Sequence, residues 1–229
     1  MAAYFVTSTG TDIGKTYVTT GLIRALRMCG PVVQGFKPLL SDFAMDRAGA
    51  SDAGRILAAM GQPVTPENLD AITPWRFTAA LSPDMAAAAE GKAVDYAALV
   101  DFSRHAATGP GVRLIEGVGG VMVPLDDHRT VLDWMADLGL PTILVAGTYL
   151  GTISHILTAH AVLAARGLTV AALVLNDSGD GAVPQDQTQA TLARFLPGVP
   201  MVLVPRRAEG EDNGAETADF AALTRLLAP

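Results

Sequence analysis

The segment Thr9-Gly10-Thr11-Asp12-Ile13-Gly14-Lys15-Thr16 constrains this chain more than any other feature. It lies between a short apolar, β-favouring stretch, Tyr4 to Thr7, and a helical pattern that runs from Lys15 to about Cys29 and ends at Gly30-Pro31. A strand, a glycine-bearing turn and a helix opening on Lys-Thr together make an anion cradle. Backbone amides point inward, the helix N-terminus adds partial positive charge, the lysine reaches outer phosphates and the hydroxyl can meet Mg²⁺. The match to G-x-x-x-x-G-K-S/T is incomplete, because Thr9 stands in the place of the first glycine and Gly10 follows one position later. The bland alternative is a strand-to-helix turn with an incidental lysine, and the elements on either side of the loop weigh against it.

A chain of 229 residues, half of them apolar and 17% charged, can bury enough surface to offset its ordering entropy, which excludes disorder. Its length suits one α/β domain over residues 1–229, with no second domain, repeat or low-complexity tract. A net charge of −7 argues against nucleic acid as a partner, so any bound anion must be held locally. Cys29 is the sole cysteine, excluding an intrachain disulfide and a cysteine-based zinc cluster, and a cytoplasmic location is expected. The N-terminus runs straight into a strand pattern without a basic leader. From Leu138 to Ala165 no Asp, Glu, Lys or Arg occurs, but glycines, Pro141 and two histidines divide the run into strand, loop and helix, so no membrane span is expected.

Further strands are expected at Val32 to Phe36, Val112 to Ile115, Thr142 to Ala146, Thr169 to Leu175 and Met201 to Val204. Helices are expected at Ser51 to Met60, Ser82 to Glu90, Asp95 to Ala107, Val131 to Leu138, Thr152 to Arg166, Gln185 to Phe195 and Thr217 to Leu227. The stretch 62–83 carries four prolines and reads as a long irregular excursion. Continuous apolar strands alternating with helices predict a mainly parallel sheet covered on both faces, with its crevice beyond the carboxyl ends of the strands.

Only Lys15, Lys37 and Lys92 are lysines, and the first two fall at expected strand ends facing that crevice. Lys37 therefore stands out from an ordinary surface lysine. Glu116 follows an apolar strand and precedes Gly117-Val118-Gly119-Gly120, a position from which an acid reaches Mg²⁺ directly or through water. Asp52 opens a helix, where it could equally favour the helix dipole. Asn176-Asp177 could meet a purine edge or form an Asx turn. The histidines lack metal-ligand spacing, and Ser154-His155 is not a nucleophile elbow, so no catalytic histidine is assigned.

These residues, with Phe36-Lys37-Pro38, Ser41, Ser51-Asp52-Ala53, Pro124-Leu125 and Leu150-Gly151-Thr152-Ile153-Ser154-His155, resemble the ATP-dependent dethiobiotin synthetase family in order and spacing. The resemblance implies a three-layer P-loop NTPase-like α/β fold and a homodimer whose substrate site lies near the subunit interface. The implied reaction closes a ureido ring from 7,8-diaminopelargonic acid, CO₂ or bicarbonate and MgATP through a carbamate and a carbamic-phosphoric anhydride. It implies Lys37, Lys15 and Asp12 as catalytic residues, and Thr16, Asp52 and Glu116 as Mg²⁺ ligands. Thr11, Asp12, Ile13, Gly14, Lys15, Thr16, Tyr17, Asp52, Glu116, Gly117, Asn176 and Pro205 are implied on the nucleotide side. Thr11, Lys37, Ser41, Gly119, Gly120, Leu150, Gly151 and Ser154 are implied on the substrate side, the last three reaching across the dimer. Ser8, Gly10, Asp42 and Ser154 depart from residues found in some members. A rival family on a related fold, the partition or septum-positioning ATPases, acts through protein partners and carries an additional lysine early in the loop, where Gly10 stands here.

Overall fold

In chain order the strands are β1 (Ala2–Ser8), β2 (Val33–Phe36), β3 (Leu39–Leu40), β4 (Trp75–Arg76), β5 (Val112–Glu116), β6 (Thr142–Ala146), β7 (Val170–Asn176) and β8 (Met201–Val204). Six of them form the central sheet in the order β2-β5-β1-β6-β7-β8, and every neighbouring pair is parallel. The computed structural model describes residues 2–177, 179, 183–206 and 218–227. Thr217, where the closing helix is expected to begin, lies outside the described residues.

The helices are α1 (Lys15–Met28), α2 (Asp52–Ala59), α3 (Pro66–Ile72), α4 (Pro83–Ala89), α5 (Tyr96–Ala107), α6 (Val131–Leu138), α7 (Thr152–Ala165), α8 (Gln185–Phe195) and α9 (Ala221–Leu227). On one face α1 packs against α2 and α9, with Val18, Leu22, Ile23 and Leu26 buried on the sheet. On the other, Trp134 of α6 meets the Phe5 ring edge-on at 4.9 Å, and its indole N–H donates to Ser103 Oγ of α5 at 3.1 Å. A buried tryptophan thus keeps its polar end satisfied. No helix among the described residues is long and apolar enough to cross a membrane.

Stretch 62–83 corrects the expectation of an irregular excursion. It contains α3, where Thr65 caps the helix by accepting from the Asn68 amide at 3.3 Å and Pro66 occupies the first turn. Proline there is a helix starter, since its missing N–H has no intrahelical partner anyway. The stretch also contains β4, which pairs in parallel with β3 in a two-residue ladder too short to leave a periodic signal. Between β3 and α2 a 3₁₀ turn (Met45–Ala50) carries the chain across.

Candidate active site at the carboxyl edge of the sheet

Strand register brings together the residues that carry chemistry. Val6 of β1 sits opposite Glu116, and Phe36 of β2 sits opposite Ile115, so Lys37 leaves β2 at the level where β5 ends on its carboxylate. The Lys37 ammonium donates to Glu116 Oε1 at 2.8 Å and to the Gly117 carbonyl at 2.8 Å, and it pairs with Asp52 Oδ2 at 3.0 Å. From the first turn of α1, the Thr16 hydroxyl donates to the same Glu116 Oε1 at 2.7 Å. Lys37 is 2% exposed and Glu116 fully buried. A lysine this deep remains charged only because three acceptors meet its three N–H bonds. Burial alone would lower its pKa, but Glu116 and Asp52 more than offset that and hold it above the usual lysine value. For Asp52 the balance runs the other way: burial raises its pKa, and the Lys37 charge overcomes burial and lowers it. The Ser51 hydroxyl fixes Asp52 in place by accepting from the Gly54 amide at 3.1 Å, capping α2.

Lys15 is in a different electrostatic position. Its ammonium donates to the Gly119 carbonyl at 3.1 Å and to Ser8 Oγ at 3.3 Å, and among the described residues no carboxylate lies within ion-pair distance. Burial, reinforced by the charge of Lys37, lowers its pKa to about 8. The loop around it is stiffened by local geometry. Asp12 holds φ 58° and Gly14 φ 89°. Asn176 Nδ2 donates to the Ile13 carbonyl at 3.0 Å, and a Cβ on Gly14 would lie 2.2 Å from that same nitrogen. Glycine at position 14 is thus required both by the left-handed backbone and by close approach.

Above these groups opens a cleft of about 760 Å³. Of the expected site residues, Thr11, Asp12, Gly14, Lys15, Thr16, Tyr17, Lys37, Ser41, Asp52 and Gly119 line it. Glu116 and Gly117 lie directly beneath Lys37, Ile13 is buried, and Gly120 packs closely against the Gly10 backbone. Asn176 grips the back of the loop, and Pro205 is exposed just past β8. Leu150, Gly151 and Ser154 are not brought to the cleft. They sit around the start of α7, with Leu150 80% exposed. The sequence reading missed Arg47 and Arg55, which line the wall formed by the 3₁₀ turn and α2, and Leu81, Pro83, Val118 and Val123, which supply apolar lining. Arg55 was detectable: three residues after Asp52 on one helix, it shares the face of that acid.

Thr16, Asp52 and Glu116 offer only hard oxygen donors, and Glu116 Oε2 is buried without a hydrogen-bond partner. No cluster of three or more His, Cys, Asp or Glu side chains able to cage a metal occurs among the described residues. That donor set suits Mg²⁺, which takes one or two carboxylates and completes its shell with water and substrate phosphates.

A family model described as an AAA domain matches residues 2–208. The ATP-dependent dethiobiotin synthetase of Phenylobacterium zucineum is 46% identical over 229 residues, covering 99% of this chain and 98% of the relative. That of Caulobacter sp. strain K31 is 48% identical, covering 94% of this chain and 92% of the relative. Among solved structures, the Pyrococcus furiosus cell division ATPase MinD superposes with a TM-score of 0.61 at 18% identity, covering 98% of both chains. A ParA family ATPase from Chlorobium tepidum superposes with a TM-score of 0.55 at 13% identity, covering 99% of this chain and 95% of that one. At such identities these two establish a shared fold and nothing more.

Proposed function

The chain belongs to the ATP-dependent dethiobiotin synthetase family, and from that premise we propose that it converts 7,8-diaminopelargonic acid, CO₂ and ATP to dethiobiotin, ADP and phosphate at the cleft above Lys37. The observation that carries the reading is the buried Lys37, held between Glu116 and Asp52 beside Lys15 at the mouth of the loop. Two cations at one sheet edge suit a reaction that joins two anions.

In the first step one substrate amine attacks the carbon of CO₂, a C–N bond forms, and the amine proton leaves to a base. Asp12, exposed at the rim with its backbone held at φ 58°, would accept that proton. A carbamate oxygen then attacks the γ-phosphorus, and the electron pair of the breaking P–O bond leaves with ADP. Negative charge collects between two anionic groups, where Lys15 and Lys37 stabilise it from fixed positions and need no solvent reorganisation. When bound, Mg²⁺ would take oxygens from Thr16, Asp52 and Glu116 and neutralise charge on the β and γ phosphates. Finally the second amine attacks the carbamoyl carbon, the C–O bond to phosphate breaks, and the ring closes with loss of a proton.

The loop amides and the start of α1 would cradle the phosphates. Thr11, Ser41 and the Gly119 backbone line the same cleft and would orient the diamine. Leu150, Gly151 and Ser154 contribute only if a second subunit presents them, and the 80% exposure of Leu150 supports a homodimer in which that segment is covered. Asn176 keeps its side-chain oxygen for the adenine edge while its nitrogen holds the loop.

The test is ATP turnover by the purified protein with Mg²⁺ and bicarbonate, with and without the diamine, and identification of the organic product by mass. Diamine-dependent ADP release and a product whose mass has risen by that of CO₂ less that of water support the proposal. Hydrolysis indifferent to the diamine returns the protein to a partner-driven ATPase.

A further inference from the structure

Most basic groups along the cleft are already engaged by the protein itself. Lys37 is met by Glu116, Asp52 and the Gly117 carbonyl, Lys15 by the Gly119 carbonyl and Ser8, and Arg47 by Asp42 at 3.8 Å. Arg55 is not. It projects from α2 into the cleft lining, and among the described residues no hydrogen bond, ion pair or ring contact engages its guanidinium. The sequence sets it there: Asp52, the acid that pairs with Lys37, is three residues earlier, and i, i+3 spacing stacks the two side chains on one helix face. A guanidinium is always charged and presents a planar fork of donors that matches two oxygens of a carboxylate or phosphate. An ordinary solvated arginine would serve on the outer face of α2, whereas this one faces the cleft in which anionic substrates meet.

We propose that Arg55 is a substrate-binding residue that takes an anionic oxygen pair of a molecule entering the cleft, the tail carboxylate of the diamine or the terminal phosphate of ATP. The inference rests on the reaction proposed above and deepens it. In this protein the anion is recognised from α2 of the same chain, which lines the cleft together with the phosphate loop, in addition to anything a second subunit supplies. The long, flexible arginine stem allows the free side chain to lie open and to close over its ligand, as a binding group on the rim of a cleft must.

The experiment compares the wild type with R55Q and R55K. Glutamine has much the same helix propensity as arginine, so α2 is expected to persist, and thermal unfolding checks this. KM is measured separately for ATP and for the diamine, and again with an analogue in which the diamine's carboxylate is a neutral primary amide. Loss of a charge-assisted bidentate contact is expected to raise one of the two KM values about 10- to 100-fold in R55Q, exceeding any fall in kcat, with partial recovery in R55K. If the carboxylate is the ligand, the KM difference between wild type and R55Q vanishes with the amide analogue. If the phosphate is the ligand, KM for ATP rises and the diamine and its amide are affected equally. Unchanged KM values for both substrates overturn the proposal, as does a loss of thermal stability that accounts for the whole effect. Should the wild type show no diamine-dependent turnover, the reaction itself is wrong and the carboxylate arm falls with it. Calorimetric ATP affinity of wild type and R55Q then decides the phosphate arm: equal affinities end the proposal, and weaker binding by R55Q sustains it.

Discussion

Replacing Lys15 by methionine is expected to make this protein more stable at neutral pH, although the loop is then no longer fit to bind phosphate. Lys15 is 8% exposed, has no carboxylate within ion-pair distance among the described residues, and its pKa falls from the ordinary 10.5 to about 8. The unfolded chain therefore binds a proton more tightly than the folded one, and at pH 7 the folded state carries a charge it disfavours. At about 1.36 kcal/mol per pH unit that penalty is about 3 kcal/mol. Methionine also gives up the hydrogen bond to Gly119, worth about 1 kcal/mol. Ser8 Oγ still lies 3.0 Å from the Gly119 carbonyl and 2.6 Å from that of Gly10, so its one proton is shared between the two acceptors. A net gain of about 2 kcal/mol at pH 7 remains. The sign fixes the pH window. A lysine with a depressed folded-state pKa costs stability below about 8, and the cost is relieved as pH climbs toward the unfolded value, so the wild type should regain about 2.5 kcal/mol relative to the variant between pH 7 and pH 10. Urea unfolding of both proteins at the two pH values reads this directly, and the other titrating groups, present in both, cancel in the difference. A variant less stable than wild type at pH 7, or a gain that does not change with pH, would falsify the claim that Lys15 is a buried charge awaiting a counterion.

The same electrostatics predict that ATP affinity, measured by calorimetry, weakens as pH rises above about 8, because the free protein loses the Lys15 proton that bound phosphates would hold; affinity constant to pH 9.5 contradicts this. Lys37→Met should do the opposite of Lys15→Met, costing about 3–5 kcal/mol by stranding Glu116 and Asp52 without their shared cation. Asp52, whose pKa is depressed in the wild type, contributes stability that is present above about 3.9 and lost as pH falls below it, so the gap between wild type and Lys37→Met should narrow as pH falls below about 4 in denaturant titrations. Gly21→Ala would place a Cβ 2.1 Å from the Phe220 ring and should lower stability by about 1–3 kcal/mol, with most of it recovered in Gly21→Ala/Phe220→Leu; additive effects would show that α1 and α9 do not pack as described. Chelation of divalent cations with EDTA should abolish ATP turnover and added Mg²⁺ should restore it, while turnover indifferent to EDTA would remove the metal role of Thr16, Asp52 and Glu116.

The sheet and the loop were legible because each left a local signal. Continuous apolar runs such as Thr142–Ala146 marked the buried strands. The decisive marks for the site were Gly14-Lys15-Thr16 behind β1 and the lone Lys37 and Glu116 at strand ends, and register then set these last two side by side. What was not legible depended on distant partners. The ladder Leu39↔Trp75 spans two residues per strand, and α3 hides behind prolines that a linear reading counts as breakers. Nor did the sequence show that Asn176 spends its amide nitrogen on Ile13 or that Ser8 touches both Gly10 and Gly119, since these contacts depend on how the loop and the strand ends meet in space. Arg47 carries no motif and becomes notable only once the 3₁₀ turn forms a wall of the cleft, whereas helix spacing alone set Arg55 on the face of Asp52.

The two lysines of the site solve one physical problem in opposite ways. A cation poised for phosphate must stay charged in a dry place before the phosphate arrives, and the protein can either provide an internal counterion or accept the cost. Lys37 has its counterions in Glu116 and Asp52, which the proposed mechanism also assigns to Mg²⁺. With Mg²⁺ bound, Glu116 and Asp52 would be shared between the metal and Lys37, and the fixed ammonium would have more of its charge to offer a carbamate. Among the described residues Lys15 has no such partner, and its disfavoured charge is what a bound phosphate would relieve. The expected order is nucleotide binding first, through Lys15, and phosphorylation of the carbamate afterwards, beside Lys37. Product-inhibition kinetics that place the diamine obligatorily before ATP would contradict it.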